Sequence, residues 1–163
     1  MAYRVLIIGC GAIAGGYDAQ RSPDEWPLSH AGAIAGDDSF ELVACVDPDD
    51  ATRDAFARRW DVPQAAASLD ALGAKPGEFD LIVIASPTGH HAAHLDWAAT
   101  MKPRAVFCEK PLGVSANEAQ SMVDTCREAG VLLFEAFVFL YHPKSLDGLA
   151  PALSRGGVHL LNQ

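Results

Sequence analysis

Basic residues are scarce in this chain: 12 Lys and Arg stand against 21 Asp and Glu, a formal net charge of −9. Nucleic acid and anionic membranes need clustered cations to neutralise phosphate, so both are set aside and a small molecule is the expected partner. Cysteine is sparse as well. Cys10, Cys45, Cys108 and Cys126 are scattered with no C-x-x-C spacing, three of them in or beside apolar runs, and read as reduced, packed thiols of a cytoplasmic protein. No apolar run approaches the roughly 20 residues that span a bilayer. Internal repeats and low-complexity tracts are absent. "LIIGC", Leu6 to Cys10, has the look of a lipoprotein cleavage box, but the apolar stretch is too short and only Arg4 is charged before it. It reads as a strand entering a glycine turn.

What is present is an ordinary globular composition, 50% hydrophobic and 20% charged, over 163 residues. That length suits one domain with a full core, or one domain and part of another. Short apolar runs, "YRVLIIG", "FELVACVD", "DLIVIASP", "AVFCEKP" and "VLLFEAF", alternate with the longer segments "DPDDATRDAFARRW", "GHHAAHLDWAAT" and "SANEAQSMVDTCREAG". Continuous apolar strands separated by helices predict an α/β fold, a doubly wound parallel sheet covered on both faces. In the last helix Ser115-x-x-Glu118 forms a capping box, Ala119, Met122, Val123, Cys126 and Ala129 share one face, and Gly130 is the stop. "GGYDAQRSPDEWPLS", Gly15 to Ser29, reads as a loop interrupting the first helix, and Tyr141 to Gln163 holds a short helical candidate and one strand, "GVHLLNQ".

"GCGAIA", Gly9 to Ala14, leaves the first strand and opens a helical segment. A G-x-G-x-x-G/A turn there lets backbone approach a pyrophosphate while helix amides receive its charge, so Gly9, Gly11, Ala12, Ile13 and Ala14 are cofactor-binding candidates. Asp47 closes the second run, placed to accept from the adenosine ribose hydroxyls and to repel the extra phosphate of NADP; a helix-capping role can coexist with this. NAD is therefore expected over NADP. Ser86, Pro87 and Thr88 leave their strand at the carboxyl edge of the sheet, where ligands lie, and should line the cleft. His90-x-x-x-His94 lacks the glutamate of H-E-x-x-H and a third ligand, so no metal is expected. Glu109 and Lys110 end the "AVFCEKP" strand over the same crevice, where a lysine can donate to a substrate oxygen while the carboxylate tunes it, as hydride transfer requires.

In this order "GCGAIA", His30-Ala31, "CVDPD", "IASPTGHH", "CEKPLG" and "FEAFVFLYHP" resemble the Gfo/Idh/MocA family of NAD(P)-dependent oxidoreductases over about residues 3 to 143. The resemblance implies a Rossmann-like NAD-binding domain over 1–135, then a crossover and the first elements of a truncated C-terminal α+β domain over 136–163. It implies that Lys110 contacts substrate and assists proton transfer. It also implies that Ser86-Pro87-Thr88-Gly89-His90-His91 stands for T-P-N-x-x-H, with Thr88 replacing the usual Asn, and His91 is the second catalytic candidate. Glu135 and His142-Pro143 match the crossover, without the arginine often found before His-Pro. The implied reaction moves a hydride between NAD and a sugar, polyol or sugar derivative. The D-x-x-x-H histidine is missing, so this chain alone is expected to show little turnover; a non-catalytic dinucleotide-binding module, sensor or partner subunit is the alternative. A homo-oligomer is expected of a full-length form. If functional, the Gly15 to Ser29 loop should fold over the cleft, with Tyr17 or Trp26 covering apolar surface and Asp18 or Arg21 meeting polar ligand groups.

Overall fold

The computed structural model describes residues 2–22 and 25–137. Six strands, β1 (Tyr3–Ile8), β2 (Phe40–Val46), β3 (Gln64–Ala66), β4 (Leu81–Ile84), β5 (Ala105–Cys108) and β6 (Leu132–Glu135), pair in parallel in the order β3-β2-β1-β4-β5-β6. Five of them lie in the five apolar runs. The sixth, β3, is three residues of Gln-Ala-Ala at the sheet edge and carries no β-branched or aromatic signal. The helical candidate and strand read between Tyr141 and Gln163, and the His142-Pro143 match, lie outside the described residues.

Among the described residues five α-helices cover the sheet: α1 (His30–Ala35), α2 (Asp50–Arg59), α3 (Leu69–Leu72), α4 (His91–Thr100) and α5 (Ala116–Ala129). Alternation along β1 explains the two layers. Leu6 and Ile8 join Ile82, Ile84 and Val106 under Leu95 and Ala98 of α4 and Met122 and Cys126 of α5. Val5 and Ile7 join Cys45 and Val83 under Ala31 and Ile34 of α1 and Phe56 of α2. A strand buried on both faces must be apolar throughout, which is why these runs show no polar alternation. All four cysteines are free and buried within these layers; burial, with Glu109 and Glu135 nearby, pushes the Cys108 thiol up to about 12.

Helix α5 follows its sequence signals. Ser115 Oγ accepts from the Glu118 amide at 3.2 Å, Glu118 Oε2 accepts from the Val114 amide at 2.7 Å, and Gly130 ends the helix at φ 71°. Of the predicted apolar face only Ala129 is exposed.

The first helix is interrupted, as the sequence predicts. One turn forms after β1, with Gly15 N donating to Gly11 O at 3.2 Å, then a 3-10 turn spans Gly16–Asp18, and regular helix resumes only at His30. His30 N to Ile13 O (3.1 Å) and Ala31 N to Ala14 O (2.8 Å) stitch the two pieces together. The insertion is therefore a bulge hung on a helix, released where Gly15 and Gly16 weaken helical propensity. Its anchor is Asp18, 5% exposed, which accepts from the amides of Leu28 (2.9 Å) and Ser29 (2.8 Å) and from Ser29 Oγ (2.5 Å). Arg59 of α2 holds the loop from below, donating to Ala19 O at 3.2 Å and Asp18 O at 3.4 Å.

These contacts give the described part of the loop a place other than over the Asp47 and Ser86 cleft. The described part of the loop packs on the helical layer of α1 and α2, Asp18 is spent on its own loop, Arg21 pairs with Asp18 and Glu25, and Tyr17 and Trp26 stand 57% and 83% exposed.

Candidate functional site

The strand order reverses between β1 and β4, so the loops leaving these two strands diverge and open a crevice at the carboxyl edge. The β1 exit approaches the β4 exit closely: Gly9 has φ +92°, and a Cβ on it would stand 2.7 Å from Ser86 N and 2.8 Å from Ala85 O. Only glycine fits there. Beyond it the amides of Gly11, Ala12 and Ile13 have no acceptor among the described residues. Free amides at the start of a helical turn are a cradle for an anion.

Asp47 closes the crevice on the β2 side. Its Oδ2 accepts from Cys10 N at 2.8 Å, which ties the end of β2 to the glycine turn, and its Oδ1 accepts from Asp49 N at 2.9 Å. The helix cap itself is Asp49, whose Oδ1 takes the Thr52 amide at 2.8 Å. Asp47 is thus not the cap of α2; it is a carboxylate oriented by backbone, with acceptor sites left over. A cleft of ≈ 580 Å³ extends from it, lined by Gly9, Asp47, Ser68, Ser86, Pro87 and Trp97 among others. Ser68 and Trp97 carried no signal in the sequence because each arrives from an element of its own, the start of α3 and the middle of α4. Thr88 opens a 3-10 turn over Thr88–His90 directly behind Pro87.

The three histidines divide their tasks. His90 stacks on His94 at 5.8 Å between ring centroids, and His94 Nδ1 is hydrogen-bonded to Ser86 Oγ at 2.8 Å. Burial, with the neighbouring imidazoles, holds the His94 pKa below its ordinary value. His91 is 1% exposed, its Nε2 2.8 Å from Ser86 O and its Nδ1 3.1 and 3.2 Å from Pro111 O and Leu112 O. All three partners are carbonyls, which only accept. The ring is enclosed and both its nitrogens face backbone carbonyls rather than the crevice, with its N–H serving one of them at a time, so the expectation that His91 is catalytic is corrected: it is a clamp joining the β4 exit to the loop after β5.

That loop carries Glu109 and Lys110. Glu135 of β6 holds it from the other side, its Oε1 accepting from the Leu112 amide at 3.0 Å. The Lys110–Pro111 bond is cis, and the Lys110 side chain is exposed. Glu109 Oε1 lies 2.8 Å from Nε2 of His30, with the two side chains 12% and 17% exposed. Burial alone would raise the Glu109 pKa, but the His30 hydrogen bond and the adjoining Lys110 outweigh it and hold the carboxyl below the usual range. The sequence placed His30 in a run of matching segments without showing its partner 79 residues away.

A second, more apolar groove of ≈ 440 Å³ is lined by Tyr3, Phe40, Leu81 and Ala105, the first residues of β1, β2, β4 and β5. It lies at the opposite, amino edge of the sheet and shares no residue with the crevice. No helix among the described residues is long and apolar enough to cross a membrane.

Comparison with known proteins agrees with this fold. The family model of the Gfo/Idh/MocA oxidoreductases, NAD-binding Rossmann fold, matches residues 3–137. D-xylose 1-dehydrogenase (NADP(+)) 2 of Haloferax volcanii is 39% identical over 105 residues, 63% of this chain and 31% of that protein. Trans-1,2-dihydrobenzene-1,2-diol dehydrogenase of Mus musculus is 31% identical over 144 residues, 82% of this chain and 42% of that one. Among solved structures, the WlbA dehydrogenase of Bordetella pertussis in complex with NADH and UDP-GlcNAcA superposes with a TM-score of 0.75 at 27% identity, over 96% of this chain and 43% of that one. The chain spans less than half the length of each of these relatives. With a parallel sheet in this order, a glycine turn at its switch point and a family match over residues 3–137, the chain belongs to the Gfo/Idh/MocA oxidoreductases and is built on their NAD(P)-binding Rossmann fold.

Proposed function

We propose that this chain is the cofactor-binding portion of an NAD-dependent dehydrogenase that moves a hydride between nicotinamide and a carbon bearing a hydroxyl, in a sugar, polyol or sugar derivative. The observation that carries the reading is the spread of the site across the sheet. Asp47 stands over β2 and Glu109-Lys110 over β5, with β1 and β4 between them. Three strand-to-strand steps make about 14 Å, room for a dinucleotide laid across the crevice with its pyrophosphate on the glycine turn.

The residues present fit such a cofactor. The free amides of Gly11, Ala12 and Ile13 receive the pyrophosphate, with Gly9 allowing close approach and Ala14 closing the turn. Asp47 accepts from the ribose hydroxyls at the adenosine end; Ser86, Pro87 and Thr88 form the wall over β4. Bound there, a nicotinamide supplies or accepts the hydride. Lys110 then sits at the far end of the crevice, its side chain exposed and without an ion pair among the described residues, able to donate to the substrate oxygen and to take up or release its proton. Polyhydroxylated substrates are favoured because two relatives are named for D-xylose and for a dihydrobenzenediol, and the WlbA dehydrogenase was solved in complex with UDP-GlcNAcA.

Preference for NAD rests on Asp47, with Asp49 and Asp50 beside it, against the additional phosphate of NADP. One relative bears an NADP(+) name, so the choice is decided by titration. Calorimetry of the chain should show NAD bound at least about tenfold more tightly than NADP, some 1.4 kcal/mol, and Asp47→Ser should narrow the gap. Equal or tighter NADP binding would overturn the role of Asp47; failure to bind either would overturn the dinucleotide reading.

A further inference from the structure

Helix α1 begins with His30, and that one residue touches three parts of the site. Its amide donates to Ile13 O in the glycine turn at 3.1 Å. Its ring stands edge-on to Phe107 of β5, with centroids 5.4 Å apart and planes at 70°. Its Nε2 meets Glu109 Oε1 at 2.8 Å. A carboxylate can only accept, so Nε2 carries the hydrogen of this bond. The other carboxylate oxygen of Glu109 is turned to the amide of Lys110 at 3.3 Å. Glu109 is thereby held from two sides, and the strand end that presents Lys110 is fixed relative to the turn that would hold the pyrophosphate.

A purely structural histidine would be expected to bond to main chain and vanish into the core, as His91 does. His30 instead spends its side-chain bond on the one acid of the E-K-P segment, at the edge of the crevice, where both groups keep some contact with solvent. None of the residues that would bind the adenosine and pyrophosphate half, Asp47, Ser86 and Pro87, has a side-chain bond to it.

We propose that His30 is a positioning residue for the nicotinamide half of the site: it holds Glu109 as an acceptor for a hydroxyl of the nucleoside bound there and registers the E-K-P segment against the glycine turn. The inference rests on the dinucleotide reading above and goes beyond it by dividing the crevice into a half that depends on His30 and a half that does not.

The test compares two ligands on three proteins. NAD and ADP are titrated into the wild-type chain, His30→Ala and His30→Gln, with thermal unfolding of each recorded. ADP fills only the Asp47 and glycine-turn half, so it reports whether the fold survives. His30→Ala should weaken NAD about tenfold or more while ADP stays within about twofold, and His30→Gln, whose amide can reach Glu109 and donate, should recover most of the NAD affinity. Unchanged NAD binding in His30→Ala overturns the proposal. So does a parallel loss of NAD and ADP, which marks a residue that merely supports the fold. If the wild-type chain binds ADP but gains nothing from the nicotinamide nucleoside, this inference fails while the adenosine half of the site stands; if it binds neither, the cofactor reading fails and takes the inference with it.

Discussion

Replacing His91 by leucine separates a clamp from a catalytic base. Leucine is close to histidine in volume, so the change opens little space and acts chiefly by removing donors. Ser86 O, Pro111 O and Leu112 O surround the ring at 2.8, 3.1 and 3.2 Å, and the side chain is 1% exposed, so water cannot replace it without local opening. A buried acceptor left without a donor costs about 1–3 kcal/mol, and the ring N–H that serves one of these carbonyls is worth about 2 kcal/mol. For a domain of this size that lowers the melting temperature by about 4–8 °C. His91→Gln returns a carboxamide with two N–H donors and should recover at least half of the loss. The assay is thermal unfolding by circular dichroism at pH 7. NAD titration runs beside it, because His91 bonds to the β4 exit, whose Ser86 and Pro87 line the cleft. If His91→Leu melts within 2 °C of wild type, on the order of the error in such a comparison, and the dehydrogenase carrying it loses turnover nonetheless, the ring is doing chemistry and the clamp argument is wrong.

Three further outcomes follow from the same contacts. Gly9→Ala forces a left-handed backbone on alanine and puts its Cβ against Ser86 N and Ala85 O; strain at such a position costs about 1–3 kcal/mol before the clash is counted, and calorimetry should find no measurable NAD binding in any folded variant. Asp18→Ala leaves the Leu28 and Ser29 amides and the Ser29 hydroxyl without their acceptor, a loss of about 2–4 kcal/mol that urea unfolding will read; a loss below about 0.5 kcal/mol, the level of an ordinary surface change, would show that the loop is not anchored there. The pH dependence of that loss has a definite sign. Burial would raise the Asp18 pKa, but the Ser29 hydroxyl, the Leu28 and Ser29 amides and Arg21 together hold it below the ordinary value, so its stabilisation is complete above the unfolded value of about 4 and fades as pH falls through the folded one. The wild-type and Asp18→Ala curves should therefore run parallel from pH 7 to pH 5, on that same scale, and converge in acid; divergence in acid would contradict the assignment.

The layers were legible wherever a physical signal is local. Strands buried on both faces must be apolar throughout, so β1, β2, β4, β5 and β6 stand out as runs, and α5 announces both its ends through Ser115, Glu118 and Gly130. Strand β3 was invisible because three residues at an edge need neither branching nor bulk. The placement of the glycine turn, Asp47 and E-K-P was legible because each follows a strand end, and the carboxyl ends of a parallel sheet meet at one edge. What a strand-end rule does not contain is burial. His91 and His94 look alike in "GHHAAH", yet one is enclosed by carbonyls and the other bonds to Ser86 beside the cleft. Pairing across the chain is hidden for the same reason: nothing local to His30 or to Glu109 says that they meet, nor that Glu135 reaches the Leu112 amide.

The interrupted first helix shows why a site of this kind tolerates an insertion beside its most sensitive turn. An anion at a helix start is held by the first few amides, and the dipole that favours it falls off within about one turn. The turn from Gly11 to Gly15 already supplies those amides, so the chain can leave the helical path at Gly15 without disturbing what Gly9 to Ala14 present to a ligand. What the insertion would cost is the continuity that fixes the turn to the rest of the layer, and that is restored by backbone bonds across the gap, His30 to Ile13 and Ala31 to Ala14. Their geometry depends on Ser29 starting α1 at the right place, which Asp18 secures by taking both the amide and the hydroxyl of that residue. Gly32 completes the arrangement, since a Cβ there would collide with the Asp18 carboxylate. An anchor of four residues, Asp18, Ser29, His30 and Gly32, thus replaces the missing helix between Gly15 and Ser29, and it delivers the His30 ring to Glu109 as it does so. Gly32→Ala should consequently act at a distance: by displacing Asp18 it should lower NAD affinity more than ADP affinity, in the same sense as His30→Ala and to a smaller extent. Equal loss of both ligands, or of neither, would mean that the loop's anchor and the E-K-P segment are independent.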